Sequence, residues 1–160
     1  MPANAQKIRP CLWFDGKAEE AVDFYLSLFP GSDSEILAVQ RWGKDGPGEP
    51  GSVLTMEFRL AGTEYQVLNG GPQFTFNEAV SFSVDCADQA EVDQLWERLT
   101  ADGGEPGPCG WCKDKYGLSW QIVPRRLPEL LADPDKDRAD RVLAAMMKMG
   151  KIDVAALESA

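Results

Sequence analysis

The chain has 160 residues, with 26 Asp and Glu against 16 Lys and Arg, a formal net charge of −10, four cysteines and no histidine. That length suits one domain or two small repeated halves and buries a core without disulfide staples. Scattered basic residues give no stripe for phosphate, which excludes nucleic-acid binding; no apolar run nears the roughly 18 residues of a membrane span. Without imidazole there is no Ser-His-Asp or Cys-His nucleophile pair.

The N-terminal MPANAQKIRP lacks the apolar region of a signal peptide, so a cytoplasmic protein is expected. Ile8 to Phe14 reads as a short strand, with Pro10 marking an edge or a strand start. Asp15-Gly16 turns the chain into an amphipathic helix from Lys17 to Phe29, stopped by Pro30-Gly31. Glu35 to Trp42 is a strand. GKDGPGEPG is a loop, and Ser52 to Leu60 and Thr63 to Leu68 are two strands joined at Ala61-Gly62.

After the loop NGGPQFTFN the order restarts. A strand is expected over Glu78 to Asp85. Asp88 caps a helix with Glu91 three residues on, and its buried face carries Val92, Leu95, Trp96 and Leu99. The stretch from Glu105 to Lys113 is broken by Pro and Gly into two short strand pieces. DKYGLSWQIVP then supplies a turn and a last strand, with Leu118, Trp120 and Ile122 on one face and Ser119, Gln121 and Val123 on the other. In the tail, a short helix follows Pro124. Asp133-Pro134 predicts a helix running to about Met149 with Ala139, Val142, Leu143 and Met146 on its apolar face, closed by Gly150, and Asp153 starts a last turn. The expected organisation is a first module over 1–70, a second over 71–124 and a helical tail over 125–160.

Cys109 and Cys112 form a lone C-x-x-C, CGWC. One such pair is half a zinc site, and nothing completes it. It follows a Gly/Pro-rich run rather than opening a helix, unlike a thioredoxin-type pair. Chance spacing is the ordinary reading, and the four thiols are expected to be reduced.

The segments PCLWFDGKAEEAVDFYLSLFPGS, VLNGGPQFTFNEAVSFSVDC and CGWCKDKYGLSWQIVP together resemble the vicinal oxygen chelate superfamily of glyoxalases, bleomycin-resistance proteins and extradiol dioxygenases. They are closer to its PhnB-like branch, some members of which carry a 3-demethylubiquinone-9 3-methyltransferase label. The sequence holds no Gly-rich strand-to-helix loop of the kind a nucleotide cofactor needs. The resemblance implies an α+β fold of two βαβββ modules forming a glyoxalase-like open barrel, with C-terminal helices added. It also implies a homodimer; helical spacing makes the Met-rich tail helix mainly a packing face, with a partner chain as the alternative surface for it.

In metal-dependent relatives, four inward side chains from the first and last strands of the modules hold a divalent ion. Carried over, those positions fall at Pro10, Gln66, Ala79 and Gln121. Two have no donor atom and two are neutral amides, which orient a polar ligand better than they hold a transition metal. No metal and no cofactor are therefore expected, and Gln66 is expected to face Gln121 across the cavity. Trp13, Phe58, Asn69, Phe74, Phe76, Cys109 and Trp111 are the further candidate ligand contacts, the two Phe residues as a lid, a pocket wall or a dimer contact. Core packing is the ordinary alternative for the aromatics, and a turn for Asn69.

The reading favoured is a small-molecule binder with a hydrophobic or aromatic ligand in a metal-free cavity. Close behind is a metal-free enzyme using a buried carboxylate among Glu57, Glu64 and Glu78 as base. Metal-dependent lyase or dioxygenase chemistry fits the fold and fails at the ligands.

Overall fold

The computed structural model describes residues 6–160. They form two compact units, one ending at Thr75 and the other spanning Phe76–Ala160.

The first unit holds β1 (Cys11–Phe14), α1 (Ala18–Leu28), β2 (Glu35–Arg41), β3 (Val53–Leu60) and β4 (Thr63–Asn69) in a sheet of order β1-β4-β3-β2. β1 lies parallel to β4, and the other neighbours are antiparallel. The first strand begins at Cys11, later than the apolar pattern from Ile8 suggests. Pro10 has no N–H to give the ladder, and only its carbonyl joins, accepting from Gln66 N at 2.9 Å. α1 buries Ala18, Ala21, Val22, Tyr25 and Leu28. Beneath it lie Leu12, Phe14, Met56, Phe58 and Val67, also buried. Each large side chain removed from water there contributes about 1.5–3 kcal/mol. The opposite sheet face carries Trp13, Thr55, Glu57, Gln66 and Leu68, all half-buried. β2 is an edge strand exposed along its whole length.

The local sequence offers α1 no side-chain cap at Lys17. Asn69 supplies one from the far end of β4, its Oδ1 accepting from Ala18 N at 2.9 Å while its Nδ2 donates to Val53 O at 3.0 Å. The last strand, the helix start and β3 are thereby tied at one amide.

The second unit repeats the order with β5 (Ser81–Cys86), α2 (Gln89–Thr100), β6 (Glu105–Pro106), β7 (Trp111–Lys113) and β8 (Ser119–Pro124), in a sheet β5-β8-β7-β6. β5 starts at Ser81 rather than Glu78, because Asn77 Oδ1 accepts from Ala79 N at 2.9 Å and closes an Asx turn there. β6 and β7 are short pieces, as the intervening Pro and Gly residues require. Asp88 caps α2 by accepting from Glu91 N at 2.9 Å, and Glu91 Oε2 reaches back to Ala87 N at 2.7 Å. Val92, Leu95 and Leu99 of α2 are buried, and Trp96 is half-buried.

The tail forms α3 (Arg126–Leu131), α4 (Lys136–Met146) and α5 (Val154–Glu158). α4 is capped by Asp135, whose Oδ1 accepts from Asp137 N at 3.1 Å; Asp133, expected as the cap, instead accepts from Asp135 N at 2.9 Å. α4 ends at Met146, short of Met149 and Gly150. Leu127, Leu130, Val142, Ile152 and Leu157 make a small core on which Met146 and Met149 pack. Leu143, expected on that face, is 43 % exposed, and Met147 is 63 % exposed. The tail is fixed to the second sheet by backbone bonds from Cys109 N to Met149 O and Gly110 N to Gly150 O, both 2.8 Å. Asp153 caps α5 as expected.

Candidate ligand-binding site

In the second unit the pattern of β8 divides as its alternation dictates. Trp120 and Ile122 are buried together with the α2 face, while Ser119, Gln121 and Val123 point the other way. The pairing register aligns Ser81, Ser119 and Lys113 in one row and Ser83, Gln121 and Trp111 in the next. Gln121 Nε2 donates to Ser81 Oγ at 2.9 Å. Gln121 and Trp111, two of the expected contacts, therefore stand side by side on the face away from α2.

A concavity of about 220 Å³ opens beside this row, lined by Trp111, Lys113, Ser119, Glu78, Glu105 and the segment 106–108. Ser119 is 1 % exposed, and its hydroxyl has no hydrogen-bond partner among the described residues. The Lys113 ammonium pairs with the Glu78 carboxylate. The hydrogen bond to Lys113 holds the Glu78 carboxyl below its ordinary range, and the same bond raises Lys113, with Glu105 adding to the effect. A general base at neutral pH needs the opposite shift. Glu78 is thus a poor base in this setting.

In the first unit Gln66 lies on the face away from α1, its Nε2 donating over 3.5 Å to Glu57 Oε1, and Glu57 is held by Arg9 at 3.2 Å. Trp13 shares that face. Its Nε1 donates to Gly71 O at 2.9 Å, and its ring meets Phe74 edge-on at 4.9 Å. Phe74 itself is 65 % exposed, so the NGGPQFTFN loop is held down by an aromatic pair that still shows one face to water. Phe76 is half-buried and belongs to the second unit.

Two expected contacts fall elsewhere. Phe58 is fully buried on the α1 side, stacked on Tyr65 at 5.3 Å, because β3 alternates and Glu57 takes the other face. It belongs to the core. Asn69 has both ends of its amide committed to the α1 cap and Val53. Cys109 is half-buried on the loop before β7, at φ +56°, with its Sγ 4.0 Å from Met147 Sδ. All four cysteines are free thiols. Burial pushes the Cys112 thiol up to about 12, so the second member of CGWC is a poor thiolate.

The metal-ligand positions do not fit an ion. Pro10 and Ala79 precede their strands and offer no donor side chain, and Gln121 is occupied by Ser81. Among the described residues no three His, Cys, Asp or Glu side chains gather as a ligand set. Ser119, Lys113 and Glu105 were not singled out as contacts from the sequence. The signal for Ser119 was present, since it shares the face of Gln121, but nothing in the sequence shows that a hydroxyl lacks a partner.

Two βαβββ modules with one strand order, joined to C-terminal helices, make up the glyoxalase-like α+β fold expected from the sequence. Residues 6–123 match the family of 3-demethylubiquinone-9 3-methyltransferase, and the chain belongs to this PhnB-like family. The PhnB protein of Bacillus cereus is 37 % identical, with a TM-score of 0.66 over 74 % of this chain and 99 % of that one. Protein PA1353 of Pseudomonas aeruginosa is 20 % identical, with a TM-score of 0.58 over 75 % of this chain and 98 % of that one, and shares the fold. No curated protein matches. No helix among the described residues is long and apolar enough to cross a membrane.

Proposed function

We propose that this PhnB-like protein binds a small hydrophobic or aromatic molecule in a metal-free site on the face of the second sheet that α2 leaves uncovered. The observation that carries the reading is the buried Ser119 hydroxyl, without a hydrogen-bond partner among the described residues, beside the half-buried Trp111. A buried hydroxyl without a partner costs about 1–3 kcal/mol, and a ligand group that reaches it recovers that cost. Trp111 supplies the apolar contact. Gln121, on the same sheet face and bonded to Ser81, is the amide that would orient a polar group of the ligand.

Catalysis by a carboxylate has less support, because Glu78 is shifted the wrong way for a base. A thermal-shift series with aromatic and quinone-like compounds tests the binding reading. Stabilisation in the native protein, lost in Trp111→Ala, is expected. No stabilisation by any compound overturns it.

A homodimer and a cytoplasmic setting complete the proposal. Leu143 and Met147 on α4 and Ile36, Leu37 and Val39 on β2 are exposed apolar side chains available to a second copy, and four free thiols suit a reducing compartment. Sedimentation of a monomer at micromolar concentration counts against the dimer.

A further inference from the structure

We propose that the concavity beside β7 and the start of β8 selects an amine, a small molecule carrying a protonated amino group on an aromatic or apolar body. This rests on reading that face as a binding surface and goes further by assigning the ligand's charge. Three charged side chains line the concavity: Glu78, Glu105 and Lys113. Lys113 is taken by Glu78. Glu105 sits opposite Lys113 in the β6–β7 register and makes no ion pair of its own among the described residues. The site therefore carries one surplus negative charge, inside a chain whose own net charge is −10. An incoming anion meets two carboxylates and a single ammonium already paired with Glu78, whereas a cation finds the surplus carboxylate charge and a favourable long-range field.

The uncharged lining suits the same ligand. Ser119 Oγ has two lone pairs for an ammonium N–H and no competing donor among the described residues. The Trp111 indole offers a π-face to the cation or a stacking surface to a ring. A Cβ at Gly107 would stand 2.7 Å from Trp111 O, so the 106–108 segment runs hard against β7 as one wall of the concavity. A volume of about 220 Å³ lies below the roughly 300–1,000 Å³ of sites for drug-sized ligands and suits a single small ring with a short arm.

The test is calorimetric titration at neutral pH with three probes of one shape and different charge: phenethylamine, 2-phenylethanol and phenylacetate. The native protein is expected to bind the amine at least tenfold tighter than the alcohol, with the carboxylate weakest. Glu105→Gln, an exposed substitution that leaves the fold intact by circular dichroism, is expected to bring amine and alcohol within threefold of each other. Ser119→Ala is expected to weaken amine and alcohol alike. Equal binding of amine and alcohol, or preference for the carboxylate, overturns the assignment of charge while leaving the binding reading in place. An unchanged preference in Glu105→Gln also overturns it. No heat from any of the three, in protein that other aromatic compounds stabilise, overturns this concavity as the site without touching the broader reading.

Discussion

Asp114 Oδ2 accepts a hydrogen bond from the indole Nε1 of Trp120 at 2.9 Å, and both residues are buried, at 2 % and 1 % exposure. The other oxygen, Oδ1, accepts from Tyr116 N at 2.9 Å and Leu118 N at 3.1 Å. One carboxylate thus closes the turn between β7 and β8 and satisfies the only polar atom of the largest core side chain in the second unit. A buried indole N–H without an acceptor is costly, which explains why the turn carries an acid where a solvent-facing turn takes any polar residue.

Replacing Asp114 by Ala strands three donors at once. A loss of about 3 kcal/mol or more is expected in urea unfolding. Asn keeps Oδ1 for the two backbone donors but sets an NH₂ against the indole N–H, and about 1–3 kcal/mol is expected. Equal stability of Asn and native proteins would show that the indole bond contributes nothing.

Asn69 holds α1 from outside its own sequence neighbourhood. Asn69→Ala removes the acceptor for Ala18 N and the donor to Val53 O, and about 1–2 kcal/mol is expected to be lost. Asn69→Asp keeps the cap and loses the donor, so it should fall between the two. If Asp is as damaging as Ala, the cap is not what Asn69 contributes.

Gly70 lies under the Trp13 ring, where a Cβ would stand 2.2 Å from the indole. Gly70→Ala is expected to lift Trp13 off Gly71 and away from Phe74, costing roughly 1–3 kcal/mol. The indole N–H resonance of Trp13, assigned through Trp13→Phe, should move in the Ala variant. A resonance that stays put would mean that the loop yields in place of the ring.

The thiols separate by burial. Cys86 and Cys112 are buried, and desolvation is the main cause that pushes their thiols from the ordinary cysteine range up to about 12. Alkylation of native protein should reach Cys109 and Cys11 and spare Cys86 and Cys112, all four reacting only after unfolding. A folded-state pKa above the unfolded one favours the protonated thiol in the fold. Stability from these two groups is complete below about pH 9 and drains away as pH rises toward 12. The variant Cys86→Ala/Cys112→Ala should lose less stability than the native protein across that window, and an equal loss would remove the thiols as its cause.

Much of the fold was legible because each module has strong local signals: alternation in β3, β4 and β8, helical spacing in α1 and α2, and Pro or Gly at the breaks. Two boundaries shifted where one local bond competes with the pattern, Asn77 at Ala79 and Asp135 at the start of α4, and a third, the start of β1, because Pro10 has no N–H to give. The site was legible only in part. Strand period alone sets Gln121 on the face opposite Trp120, whereas its place beside Trp111 comes from the β7–β8 pairing. Phe58 was misplaced because an aromatic in a strand reads equally well on either face until the pairing register is known. Asn69 and Asp114 act through partners far along the chain or in the core, where sequence spacing carries no information. Glu105 and Lys113 become neighbours through the β6–β7 pairing, in a stretch too broken by Pro and Gly for a register to be read.

Each sheet is completed by setting its first strand parallel against its last, β1 beside β4 and β5 beside β8. On the ribosome, then, β1 emerges with no partner and waits until Asn69 has been made, and β5 waits for Pro124. Such long-range closure is slow compared with hairpin or helix formation, and it leaves a strand edge open in the meantime. The first module is able to close while the second is still being synthesised. Its neighbour in the chain, with β6 and β7 too short to hold a sheet by themselves, gains its order late and all at once.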